Sequence, residues 1–175
     1  MNAAQILLER IREQGAVDGE IIKVDRFLNH MVDPDLLVIL GNELAGRFAR
    51  RGVTKVLTAE TSGIMLAQAI ALALHVPFVY AKKKRPITMR EYFAAASYSF
   101  TKQESTTLYI SREVLDNRDR VLFVDDFYAK GSTFKAIGEI VEQSGAELVG
   151  SAVIINKSDR RDIEAILTLE DLRTA

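Results

Sequence analysis

The residues best suited to chemistry are Asp125 and Asp126, set in the stretch V-L-F-V-D-D-F-Y-A-K-G-S-T-F at 121–134. The apolar run 121–124 suits a parallel strand covered on both faces. The acids then fall where that strand leaves the sheet at its carboxyl end, and open α/β sheets bind ligands in the crevice beyond that edge. Gly131 relaxes the backbone, and Ser132 or Thr133 is placed to cap a following helix. Backbone N–H groups and a positive helix end suit a phosphate. Carboxylates beside such a cradle fit a ligand with both hydroxyls and phosphate, such as a phosphorylated ribose. The plainer alternative is a pair of acids that caps a helix or holds a metal. Neither the G-x-x-x-x-G-K-[ST] loop nor a G-x-G-x-x-G fingerprint after a strand is present.

Two further loops carry suitable groups. Glu60-Thr61-Ser62-Gly63 offers two hydroxyls and a permissive glycine before a helix. It reads either as a second anion site or as a plain turn capped by Thr61 or Ser62. Two anion sites on one edge would fit a substrate phosphorylated at two places. Lys82-Lys83-Lys84-Arg85 is the densest charge run, either a solvated loop or a clamp on a pyrophosphate. The segment 86–102 reads as a lid, and its Tyr92, Phe93, Tyr98 and Phe100 fit a hairpin, which a lid can be. His30 receives no catalytic role, and His75 reads as a favourable charge or cap at a helix C-terminus.

The elements that must hold these loops follow from periodicity. Helices are expected at 3–14, from Pro34 with Asp33 as cap to about Arg51, at 64–75 and at 132–144, the last ended by Gly145. Strands are expected at 20–24, 53–59, 77–81, 106–111, 121–124 and 148–155. Alternation of strand and helix from residue 53 onward predicts a doubly wound, mainly parallel α/β sheet. Right-handed crossovers then bring 60–63, 82–85, 125–133 and 156–159 to one edge.

Composition narrows the classes. The 175 residues fit one domain, and 48% hydrophobic content is enough for a sizeable core. A net charge of −1 gives no basic excess for nucleic acid. The absence of cysteine excludes disulfides, zinc–cysteine sites and thiol nucleophiles, and two histidines argue against a multi-histidine metal site. No apolar run has membrane-spanning length and the N-terminus lacks a secretory pattern, so a cytoplasmic protein without membrane association is expected.

The stretch V-D-D-F-Y-A-K-G-S-T resembles the phosphoribosyl pyrophosphate motif of type I phosphoribosyltransferases. K-V-D-R-F-L-N-H-M-V-D-P at 23–34, S-Y-S-F-T-K-Q at 97–103, D-D-F-x-A-x-G at 125–131 and I-x-K-S at 155–158 resemble most closely the bacterial xanthine branch of that family. The resemblance spans nearly the whole chain. It implies one domain over 1–175, with a core at about 34–155, a small hood from about 1–33 and 156–175, and a flexible lid. It implies transfer of a phosphoribosyl group from phosphoribosyl pyrophosphate to a purine, most closely xanthine. Mg2+ would be carried on the pyrophosphate, with no ligand directly from the protein, and a homodimer is expected. Carried over by position, Asp125 and Asp126 would meet the ribose hydroxyls, and the amides of Ala129, Lys130, Gly131, Ser132 and Thr133 the 5′-phosphate. Glu60, Thr61, Ser62 and Gly63 would meet the pyrophosphate, and Lys83 would supply charge to it, from its own chain or a dimer mate. Ile22, Asn29 and Lys157 would surround the base. Asp159-Arg160-Arg161 stands where many members carry an aromatic that stacks on the base. The alternatives are an adenine enzyme, or a regulator that senses phosphoribosyl pyrophosphate without turnover.

Overall fold

The structure is a computed structural model and describes residues 1–19, 21–99 and 104–173. Helix α1 (Ala3–Gln14) opens with a reciprocal box, in which the Asn2 side chain takes the Gln5 amide and the Gln5 side chain takes the Asn2 amide. A short hairpin, β1 (Ala16–Asp18) and β2 (Ile21–Lys23), leads into a π-helical turn over Asp25–Asn29. Helix α2 (Pro34–Phe48) begins as expected: the Asp33 carboxylate accepts from the Asp35 and Leu36 amides, each at 3.1 Å. Arg10 of α1 ion-pairs with that same cap, which ties the two helices together. Helix α2 stops before the expected Arg51; the chain turns through 49–52 before β3 (Lys55–Ala59). Then come α3 (Gly63–Leu74), β4 (Phe78–Ala81), β5 (Tyr92–Ser99), β6 (Glu104–Ser111), β7 (Arg120–Tyr128), α4 (Ser132–Ser144), β8 (Glu147–Asn156), β9 (Glu164–Thr168) and a final turn of helix, α5 (Leu169–Arg173). His75 closes α3 in the left-handed conformation, φ 56°, as a C-cap.

Five strands form one parallel sheet in the order β4-β3-β7-β8-β9. The apolar run at 121–124 is explained by burial on both sides. Leu122 and Val124 pack with Val56, Ala152 and Ile154 against α1, α2 and α3. Val121 and Phe123 pack with Leu57 against α4 and the inner face of the β5–β6 pair, through Phe93, Leu108 and Ile110. Helices after β3 and β7 thus cover opposite faces, and the order reverses between those two strands.

The segment expected as a lid is an antiparallel hairpin, β5 on β6. Its root joins the sheet edge through Lys82 and Tyr109, which exchange backbone hydrogen bonds of 2.9 Å in both directions. The Gln143 side chain of α4 also donates to the Ala94 carbonyl at 2.9 Å. Phe100, Lys102 and the rest of 100–103 lie outside the described residues, as do Glu20 of the expected 20–24 strand and residues 174–175. Strand β9 was not expected: it is five residues long and follows a charged stretch, and only its pairing with β8 defines it. No helix among the described residues is long and apolar enough to cross a membrane.

Leu122, near the start of β7, is fully buried. Leu122→Ala should lower unfolding stability by about 2–5 kcal/mol, read from denaturant melts; a loss below about 1 kcal/mol would mean this layer is not the packed core described.

Candidate functional site

The site begins where β7 parts from its neighbour. Strand β7 pairs with β3 only as far as Phe123, yet stays paired with β8 to Tyr128. Asp125 and Asp126 therefore lie inside β7 rather than after it, on the stretch that opens away from β3. This corrects the expected strand end at Val124. The two acids are close-coupled: the Asp126 amide donates to Asp125 Oδ1, and the Phe127 amide to Asp126 Oδ1, each at 2.9 Å. Burial, followed by the neighbouring Asp126 charge, holds the Asp125 carboxyl well above the usual carboxylate range.

A cavity of about 350 Å³ lies in this opening. Its lining brings together Glu60, Thr61, Ser62, Lys83, Asp125, Asp126, Ser132 and Thr133, with Ser97, Thr106 and Leu108 of the hairpin. Both helices that start here begin without a side-chain cap. The N-cap of α4 is Gly131, φ 74°, and neither Ser132 nor Thr133 serves as one; the N-cap of α3 is Ser62, whose side chain makes no capping bond. The caps expected from the hydroxyls at 61, 62, 132 and 133 are therefore not formed. Helices α1 and α2, which start elsewhere, are capped by side chains. The Ile64 amide bonds the Thr61 carbonyl at 3.2 Å; the other first-turn amides, with no side-chain cap, and the positive ends of two helices border one polar cavity, an arrangement suited to two anions.

Gly63 permits this approach. A Cβ there would stand 2.1 Å from Thr58 Oγ1 and 2.9 Å from Asp125 Oδ1. The Thr58 hydroxyl itself is buried without a hydrogen-bond partner. Of the basic run, Lys83 alone lines the cavity, and its amide donates to the Glu60 carboxylate. Lys82 lies over the Tyr80 ring at 4.9 Å and Arg85 over that of Tyr92 at 5.2 Å. Glu60, Asp125 and Asp126 border the cavity, where carboxyl oxygens can meet the water shell of a hard cation that a ligand carries in. No group of three or more metal-binding side chains occurs among the described residues.

The three residues expected around a base are not gathered in this cavity. Asn29 reaches Asp126, its Nδ2 donating to Oδ2 at 3.5 Å. Ile22 is buried in the core with α1 and α2, because β2 turns only its middle side chain inward. Lys157 lines a neighbouring polar cavity with Asn156 and Ser158, and its Nζ lies 4.8 Å over the Phe127 ring. Ala129, Lys130 and Gly131 border a smaller adjoining hollow of about 160 Å³, which shares Asp125, Ser132 and Thr133 with the main cavity. The hairpin residues Thr106 and Leu108 were not singled out by sequence, and Ser97 entered only as the first residue of the S-Y-S-F-T-K-Q stretch, without a site role. Thr106 and Leu108 lie on an alternating strand, a signal for an inward face but not for what it meets.

Comparisons with known proteins agree on one family. The profile of the phosphoribosyl transferase domain matches residues 39–166. A xanthine phosphoribosyltransferase of Heliobacterium modesticaldum is 47% identical over 97% of this chain and 90% of its own length. One from Geobacillus thermodenitrificans is 49% identical over 87% of this chain and 79% of its own. Among solved structures, an adenine phosphoribosyltransferase of Thermoanaerobacter pseudethanolicus superposes with a TM-score of 0.75 at 21% identity, covering 92% of this chain and 99% of that one; at that identity the likeness speaks for the fold.

The raised Asp125 carboxyl has a sign that can be checked. A carboxyl ordinarily titrating near pH ~3.9 and raised by folding adds stability that is full below that value and is lost as pH rises through the folded one. The thermal midpoint of the ligand-free protein should therefore fall more steeply above about pH 4 than that of Asp125→Asn. Parallel pH profiles for the two would show that burial is not what governs this carboxyl.

Proposed function

The chain belongs to the phosphoribosyltransferase family, and on that premise we propose that it transfers the phosphoribosyl group of phosphoribosyl pyrophosphate to xanthine, giving XMP and pyrophosphate. The observation that carries the site assignment is the meeting of two uncapped helix starts with the acid pair and Lys83 on one cavity. The xanthine preference is supported by curated relatives near half identity over most of both chains.

Each side chain then has a task. The first-turn amides of α4, with the turn at Ala129 to Thr133, take the 5′-phosphate. Asp125 and Asp126 take the ribose diol, whose hydroxyls give hydrogen-bond partners to both side chains, including the Asp125 carboxyl that burial leaves hard to ionise. The start of α3, with Thr61 and Ser62, takes the pyrophosphate, and Lys83 adds charge to it. When the bond from ribose to pyrophosphate breaks, its electron pair leaves with the pyrophosphate and positive character develops on the sugar. An imidazole-ring nitrogen of the purine then forms the new bond, and its N–H proton passes to the departing pyrophosphate or to solvent. Fixed amides and a cation aimed at the departing group stabilise that transition state without reorganisation. Mg2+ arriving on the pyrophosphate would neutralise the same charge, held by the pyrophosphate itself rather than by a protein carboxylate. The base is assigned to the mouth beside Phe127, between Asn29, which already touches Asp126, and Lys157, whose ammonium can donate to an exocyclic purine oxygen. Ile22 acts there only as core support for the hood.

A homodimer and a cytoplasmic location belong to the same reading. Exposed Val38 and Ile39 on α2 and Met65 and Leu72 on α3 support the dimer as apolar surface in need of a cover.

The test is an assay with Mg2+, phosphoribosyl pyrophosphate and xanthine, guanine, hypoxanthine or adenine in turn. XMP should form fastest. Asp126→Asn should lower turnover by about 10²-fold or more while its melting curve keeps the wild-type shape. Tight binding of phosphoribosyl pyrophosphate without nucleotide from any base would identify a sensor instead.

A further inference from the structure

Arg160 follows β8, and the functional reading leaves it without a task. Its guanidinium carbon lies 4.9 Å from the ring centroid of Phe134 and 5.7 Å from that of Tyr128. Nη1 donates to the Tyr128 hydroxyl at 3.2 Å. On the other edge, Nε donates to Asp162 Oδ1 at 2.9 Å and Nη2 pairs with Oδ2. The planar fork is thus fixed in direction by Asp162, Tyr128 and two ring faces, which a lysine ammonium does not reproduce.

The loop carrying Arg160 is itself braced. Asn156, 2% exposed, donates to the Arg160 carbonyl at 2.8 Å and accepts from the Ser158 amide and hydroxyl at 2.9 and 2.8 Å. The Lys157 amide donates to the Tyr128 carbonyl at 2.7 Å. Tyr128 is therefore held by its backbone and by its hydroxyl from the same loop. That hydroxyl abuts the phosphate turn: a Cβ on Gly131 would stand 2.3 Å from it. Phe134, in the first turn of α4, meets the Tyr128 ring edge-on at 5.8 Å.

We infer that Arg160, acting through Tyr128, is a positioning residue for the 129–133 turn, setting the direction of the amides that receive the 5′-phosphate. The arginine touches neither substrate nor reacting atom; it fixes the ring against which Gly131 and Phe134 pack. Cations that bind a phosphate directly act by charge, whereas this one acts by shape. The inference rests on the reading of that turn as the 5′-phosphate site.

The experiment is titration calorimetry with ribose 5-phosphate, alongside steady-state kinetics and thermal melts, on Tyr128→Phe, Arg160→Lys and the double variant. Each single change should weaken ribose 5-phosphate binding by about 5–10-fold, the scale of one hydrogen bond, and raise the KM for phosphoribosyl pyrophosphate in proportion. The value of kcat and the KM for xanthine should stay within about twofold. The double variant should be no weaker than the worse single one, because both changes break the same link. Variants that melt earlier yet bind ribose 5-phosphate like the wild type, or losses that simply multiply, would overturn the inference alone. A wild-type chain that does not bind ribose 5-phosphate would overturn the functional reading and this inference with it.

Discussion

Two helices that begin without side-chain caps, facing a pair of acids, set the terms for the rest of this molecule. First-turn amides require an acceptor, and in a folded chain the nearest side-chain oxygen usually supplies one. Here α1 and α2 follow that rule through Asn2 and Asp33, while α3 and α4 do not. At α3 the Ile64 amide turns back to the Thr61 carbonyl at 3.2 Å, and among the described residues no side-chain oxygen takes the other donors of either start. The neighbouring acids offer an anion no positive charge, so the ligand must also bring groups that engage their oxygens, and a phosphorylated diol does so.

The sheet is what makes this juxtaposition possible. Only at the reversal between β3 and β7 do two successive helices leave for opposite faces, and only there can two helix starts border one gap. The gap is then kept open by small features: the parting of β7 from β3 beyond Phe123, a glycine at 63 where any side chain would collide with Thr58, and a strand that continues on β8 alone. Hydrophobic packing on both faces, centred on residues 121–124, holds these features in register.

Much of this was legible in the sequence because it is local. A run of four apolar residues followed by two acids and a glycine announces a buried strand and a functional turn, and strand–helix alternation places the loops together. What stayed hidden depends on where side chains go rather than what they are. Ser132 and Thr133 have the composition of caps, yet their hydroxyls do not bond back. Ile22 sits at a position that the resemblance assigned to the base, but the alternation of a three-residue strand turns it into the core. The hairpin was read from Tyr92, Phe93, Tyr98 and Phe100 as one form a lid can take, against Ala94, Ala95 and Ala96, which favour helix. The contact between Arg160 and Tyr128 joins residues 32 positions apart, a separation over which propensity is silent.

The β5–β6 hairpin meets the outermost strand through one reciprocal pair of backbone bonds, Lys82 with Tyr109. Strand β4 is the free margin of a parallel sheet, and such margins invite pairing with foreign chains. The cavity wall thus doubles as a guard over the end of that margin. Any variant that loosens its root would trade easier substrate entry for a greater tendency to self-associate, so solubility and access are linked through the same backbone pair and the apolar packing of Val79 and Ala81 beneath it.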